Sequence, residues 1–235
     1  MNLTRRSVAL TGVAAAGLLL TGCGSSRGIH PGNAVVVGSD TVSMSKIDTT
    51  STLFCKVYVA QQQLQSASQQ SGPLPLGSFR SYAASSLAKR ALGQQLADQY
   101  AVEPASGYQT QISQYQQALA SSPADERDAA IAVAGADAYL QNVEVSVGQK
   151  ITGSTGQTDA DLKADLERGQ VAAQDWLNDH DAFVDPVFGL AVDGGTFTAQ
   201  KDQTSYPLST LASQGAAPQP ASTYTAALPA AQVCG

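Results

Sequence analysis

Residues 33–48 read Asn33-Ala34-Val35-Val36-Val37-Gly38-Ser39-Asp40-Thr41-Val42-Ser43-Met44-Ser45-Lys46-Ile47-Asp48, and this stretch decides how the rest of the chain is read. Ala34 to Val37 is a short β-branched run, and Gly38-Ser39-Asp40 is turn chemistry. Ser43 and Ser45 are then candidate N-caps. Ser45 and Asp48 have capping-box spacing, with Asp where Glu or Gln is usual. The expectation is a small strand at Ala34–Val37 and a first helix from about Ser45 to Ser68. On that helix Ile47, Phe54, Val57 or Tyr58, and Leu64 recur at helical spacing. A lone strand ahead of a helix needs a partner from elsewhere in the chain.

Downstream the pattern is helical. Ser71-Gly72-Pro73-Leu74-Pro75-Leu76-Gly77 breaks the first helix. Ser78 caps a second, running to about Ala101, with Phe79, Tyr82, Leu87, Leu92, Leu96 and Tyr100 as its apolar stripe. After Pro104 and Gly107, Tyr108, Ile112, Tyr115 and Leu119 give a third, single-faced helix. Ser122-Pro123-Ala124-Asp125-Glu126 opens a fourth with a cap, a first-position proline and first-turn acids. It runs through Ile131, Ala134, Ala138 and Val143, although Val143 to Val147 alternates like a strand. Gly153 to Gln157 is a loop. Thr158 caps a fifth helix, whose face is Leu162, Leu166, Ala173, Trp176 and Leu177. Past His180, two β-like runs around Asp193-Gly194-Gly195 read as a hairpin near residues 187–199. The stretch from Tyr206 onward reads as irregular. The fold expected is mainly α: about five helices, closed by a small antiparallel sheet in which the N-terminal strand pairs with the C-terminal hairpin, the only partner then in view.

Upstream, Arg5 and Arg6 precede an uncharged, mostly apolar stretch from Ser7 to Leu20, followed by Leu20-Thr21-Gly22-Cys23. A short apolar region ending in small residues reads as a signal peptide and not a membrane span. Cys23 is the one nucleophile placed to accept a lipid, so the motif reads as a lipobox; the plainer alternative is a secretory signal with a chance cysteine. Arg5-Arg6 leaves the twin-arginine export route open. The expected layout is a signal peptide at 1–22, a tether at 23–33, a helical domain with closing hairpin at 34–200 and an irregular tail at 201–235. Removing the first 22 of 235 residues leaves 213, and losing both arginines takes the net charge from −6 to −8. Such acidity argues against nucleic acid or an anionic lipid surface as the main partner. The expected location is the outer face of the cell membrane, held there by lipid alone.

With Cys23 lipidated, Cys55 and Cys234 remain. An even remainder in an exported chain implies a disulfide, the alternative being two free thiols. Such a bond would tie the tail to the first helix.

The strand-turn-helix opening at Ala34 to Ser43 resembles that of SurA and PrsA-type foldases. The wider layout resembles actinobacterial lipoproteins with a SurA N-terminal-like domain. The matching pieces are the lipobox, the opening, Cys55 in the first helix, Asp185-Pro186-Val187-Phe188-Gly189 after the last helix, and Cys234-Gly235. The resemblance implies a helical, chaperone-like module. In the foldases a parvulin prolyl isomerase domain is inserted before the final helix. Here that place holds only Gly153 to Gln157, too short for such a domain, so isomerase activity is not expected.

No nucleophile elbow, Walker loop or dinucleotide fingerprint is present. Asp159, Asp161, Asp165 and Glu167 form the densest acidic cluster, but without calcium-loop spacing; helix-dipole complementarity accounts for the first two. His180 between Asp179 and Asp181 could be an oriented base, yet no nucleophile is tied to it, and a solvated helix end is the simpler reading. The two histidines, His30 and His180, have no zinc spacing. No catalytic residue, metal or cofactor is expected. Phe79, Tyr82, Tyr108 and Tyr115 are the candidate client contacts, provided they face a groove and not the core. The leading expectation is a non-enzymatic module that binds unfolded or partly folded exported proteins. The alternative is an assembly lipoprotein that binds one envelope protein.

Overall fold

The N-terminal strand β1 (Asn33–Val37) is paired on both sides. This is seen in a computed structural model that describes residues 30–64, 73–200, 208–215 and 220–234. The expected signal peptide, Cys23 and most of the expected tether lie outside the described residues. The Gly38-Ser39 turn leads into β2 (Asp40–Ser43), which returns along β1 with Val35 opposite Val42 and Val37 opposite Asp40. Gly38 has φ +58°, and a Cβ there would lie 2.9 Å from the Trp176 ring, so both conformation and space require glycine. Ser43 then caps α1 (Met44–Gln63), its hydroxyl accepting from the Lys46 N–H at 3.2 Å. The expected end of this helix, near Ser68, lies outside the described residues.

A two-residue strand, β3 (Leu74–Pro75), precedes α2 (Leu76–Tyr100), which begins ahead of Ser78 with no side-chain cap. Next come α3 (Ser106–Ala118), α4 (Ala124–Ala134) and α5 (Ala136–Thr152). The expected fourth helix is thus two, divided at Gly135. A Cβ at Gly135 would sit 2.7 Å from the Ile131 carbonyl and 3.0 Å from Ile112, which explains glycine at this junction. Val143 and Val147, which suggested a strand, lie one helical turn apart on the buried face of α5.

Thr158 caps α6 (Asp159–Asp179) as expected, in a capping box. Its hydroxyl accepts from the Asp161 N–H, and the Asp161 carboxylate accepts from the Thr158 N–H, both at 3.1 Å. The buried face of α6 starts later than the sequence suggested. Leu162 is 39% exposed and lies over the connecting loop at Gly156 instead of a helix. The buried positions are Asp165, Gly169, Ala172, Ala173, Trp176 and Leu177.

The sheet corrects the expected strand pairing. Directly after α6, β4 (Ala182–Val184) pairs antiparallel with β1, with Val35 opposite Val184 and Val37 opposite Ala182. The sheet order is β2-β1-β4. The hairpin of β5 (Leu190–Asp193) and β6 (Thr196–Ala199) forms around Gly194-Gly195 as expected, but as a separate two-stranded sheet. A three-residue strand between His180 and the Asp185-Pro186 turn is too short to carry a periodic signal, and β2 lies between the Gly38-Ser39-Asp40 turn and the Ser43 cap, with only Thr41 and Val42 between them to mark a strand. The first strand is still joined to the segment after the last long helix, so the closure is real while its partner differs.

Two short helices, α7 (Thr210–Gly215) and α8 (Ser222–Ala226), lead to β7 (Val233–Cys234), so the tail has more structure than expected. β7 pairs with β3, placing Leu74 opposite Cys234. Cys55 on α1 and Cys234 form a disulfide, with their Cα atoms 5.8 Å apart. The main core joins β1 to α2, α5 and α6 through Val35, Val37, Leu92, Leu96, Val143, Val147 and Trp176. Within it α5 and α6 meet backbone to backbone. Gly148 faces the Asp165 backbone and Gly169 faces the Glu144 backbone, and a Cβ at either glycine would collide with the opposing carbonyl.

Candidate functional site

The four expected contact residues do not converge. Phe79 is 5% exposed and packs edge-on against Phe54 and Tyr58, so it belongs to the α1–α2 core and offers no contact surface. Tyr82 is 45% exposed and lies against Phe54, with its pKa raised chiefly by burial and next by Asp137. Tyr115 is half-buried; Gln111 donates to its hydroxyl at 3.1 Å, and that hydroxyl reaches the Ala134 carbonyl at 3.5 Å. Tyr108 is half-buried against Tyr139, ring centroids 5.2 Å apart. None of these four lines any of the three clefts described next.

The roomiest of the three, about 460 Å³, runs along β2. Asp40, Thr41, Val42 and Ser43 all line it. Asn33 of β1, the partner of Ser43, lines it too; successive strand side chains point to opposite faces, so a cleft that touches four consecutive residues of β2 reaches the strand's edge as well as one face. β2 is the outer strand of its sheet, so that edge carries backbone groups with no strand beside them. The far wall is Leu87, Arg90, Ala91 and Gln94 of α2, with Tyr139 of α5, and Lys46 of α1 sits at one end.

Arg90 is held in position. Its guanidinium lies 5.0 Å from the Tyr139 ring centroid and donates to the Tyr108 hydroxyl at 3.3 Å. The Tyr139 hydroxyl donates to Gln94 at 3.2 Å. Burial raises the Tyr139 pKa, Arg90 works against that, and Tyr108, Asp98 and Glu103 add to it, so the phenol stays neutral at ordinary pH. Among the described residues, no carboxylate forms an ion pair with Arg90 or Lys46. The cleft therefore joins an open strand edge, a wall of mixed polarity, two cationic groups and the Asp40 carboxylate.

The other clefts differ in chemistry. One, of about 320 Å³, runs beside His180, Asp181 and the Asp193-Gly194 turn. His180 stacks on Trp176 at 4.2 Å, and its Nδ1 lies 2.8 Å from the Trp176 carbonyl. Asp181 lies 3.7 Å from His30 instead, so no Asp-oriented base forms at His180. His30 itself packs on Phe183, centroids 4.9 Å apart, so the expected tether is already part of the fold by residue 30. The remaining cleft, of about 340 Å³, contains Glu144. Of the acidic cluster, Asp159 and Asp161 serve the α6 N-terminus, while Asp165 is 1% exposed and accepts from Thr152 at 2.9 Å.

Sequence reasoning missed Arg90, Lys46 and Glu144. One available signal was the pair of acid-to-glycine steps, Glu144 to Gly148 and Asp165 to Gly169, each spanning one helical turn. Small residues at that spacing mark where two helices touch. The edge of β2 had no signal, because only Thr41 and Val42 lie between the turn and the cap.

No family model, curated protein or solved structure matches this chain.

Proposed function

We propose that this chain is a lipid-anchored, extracytoplasmic, non-catalytic module that binds an extended or partly folded segment of an exported protein. The observation that carries the reading is the cleft along the open edge of β2. An extended segment laid there would continue the sheet by backbone hydrogen bonds, with specificity from side chains at alternate positions. Arg90 and Lys46 favour a segment carrying carboxylates. The resemblance of the sequence opening and layout to SurA-type proteins supports a chaperone-like role. The link between α5 and α6 runs from residue 153 to 158, which leaves no space for a parvulin insert. No helix among the described residues is long and apolar enough to cross a membrane.

A second reading, one specific envelope partner, is favoured by the form of the cleft. It is short, mixed in polarity and bounded by a four-residue strand, whereas a general holdase needs a broad apolar surface. The test uses the full chain in nanodiscs. It should suppress aggregation of an unfolded protein without accelerating cis/trans exchange in a proline peptide. Isomerase turnover would overturn the non-catalytic reading. Loss of holdase effect alongside stoichiometric capture of one envelope protein would select the second reading.

A further inference from the structure

The proposed function makes no use of Glu144. This residue is 8% exposed yet lines the cleft of about 340 Å³ between α2, α5, α6 and the β5–β6 hairpin. That volume is at the low end for small-molecule sites. Leu92, Leu140, Leu177 and Phe197 supply the apolar part of its lining, and Gln170, Gln174 and Thr196 a neutral polar part. The carboxyl hydrogen-bonds with the Gln170 side chain. As the amide nitrogen is the donor in that bond, the Gln170 carbonyl is left as a further acceptor. The one ammonium in the cleft, Lys89, is held by Asp137 at 2.6 Å. The Glu144 backbone lies directly against Gly169, which fixes where on α5 the side chain starts.

A carboxyl in this position is costly to ionise without a counter-charge. Burial raises its pKa to about 7, partly offset by Gln170. A cation brought into the cleft would offset part of that cost.

We propose that the cleft binds an alkylammonium group, its nitrogen bonded to Glu144 and the Gln170 carbonyl and its chain lying among Leu92, Leu140, Leu177 and Phe197. The site is separate from the β2 cleft and does not depend on the function proposed for it. Two sources present this chemistry: a free alkylamine, and a lysine side chain on a bound polypeptide.

The test titrates n-butylammonium into the full, methyl-labelled chain in nanodiscs near pH 7.5. The expected result is saturable movement of the Leu92, Leu140 and Leu177 methyl signals. 1-Butanol, neutral and of similar size, should bind at least roughly tenfold more weakly, as should n-butylammonium to Glu144→Gln. Saturating n-butylammonium should also lower the titration midpoint of Glu144 in the unaltered chain by about one pH unit, since binding and ionisation are reciprocal. That readout stands even if the variant folds poorly. A short extended peptide with one central lysine, set against its norleucine counterpart, assigns the source: binding of the lysine peptide supports a side chain, and binding of n-butylammonium alone supports a free amine. Equal binding of 1-butanol, or a Glu144 midpoint that n-butylammonium leaves unmoved, overturns the proposal.

Discussion

Gly169 on α6 lies directly against the backbone of Glu144 on α5, and one helical turn along each helix Gly148 meets Asp165 in the reciprocal arrangement. Each helix thus presents an acid and a glycine four residues apart, in antiparallel register. The glycines let the backbones approach. The acids are buried by that approach, and the α5–α6 contact sets the position of both carboxyls.

Gly169→Val should therefore destabilise the fold by about 3 kcal/mol or more, because the colliding atoms are backbone and cannot rotate away. Gly153→Ala, at a site with open space but positive φ, should cost only about 1 kcal/mol. Urea unfolding of the two variants checks the contrast. Equal losses would mean that the close crossing is not what requires Gly169.

Glu144 makes stability depend on pH with a definite sign. Burial raises its pKa from 4.5 to about 7, so the folded chain holds this proton where the unfolded chain has released it. Its contribution is fully present below about pH 4.5, declines as pH rises, and is lost above about pH 7. The span is on the order of 3 kcal/mol. Glu144→Gln should flatten this part of the profile and gain stability above pH 7, as read by urea unfolding across pH 4.5–8. A profile unchanged by the substitution would show that the carboxyl is already paired.

The Cys55–Cys234 bond closes a loop of 179 positions. The chain-entropy model puts its contribution at up to about 5 kcal/mol, less where the unfolded chain keeps structure. Replacing both cysteines by Ala should lower the thermal midpoint and release β7 from β3, seen as faster hydrogen exchange at Val233 and Cys234. Unchanged exchange there would mean that the tail is held by other contacts.

Cys23→Ser should release the protein from the membrane fraction or leave it unprocessed, as fractionation and intact mass would show. Normal processing with unchanged membrane retention would contradict lipid anchoring at this residue.

Legibility in the sequence followed the length and regularity of each element. The long helices were readable from their stripes, and Thr158 with Asp161 announced the start of α6. The Asp193-Gly194-Gly195 hairpin was readable from turn chemistry, and the Cys55–Cys234 bond from parity. β4 was not, because three residues carry no period, and the hairpin was assigned its place beside β1. Gly135 gives no distinct signal, because a single glycine inside a helical pattern is usually tolerated. The aromatic residues misled for a different reason. Periodicity places Phe79 and Tyr82 on one helix but does not say which faces a neighbour, and α1 covers Phe79. Arg90 and Lys46 gain meaning only when the β1–β2 hairpin folds beside them, a long-range juxtaposition that spacing does not encode.

The central claim is that an extended segment binds along β2. The most direct measurement is amide hydrogen exchange of the full chain in nanodiscs, with and without an unfolded exported protein in excess. The account predicts added protection at Asp40 to Ser43 on binding, weakened by Lys46→Glu. Binding with no added protection on β2 would contradict it.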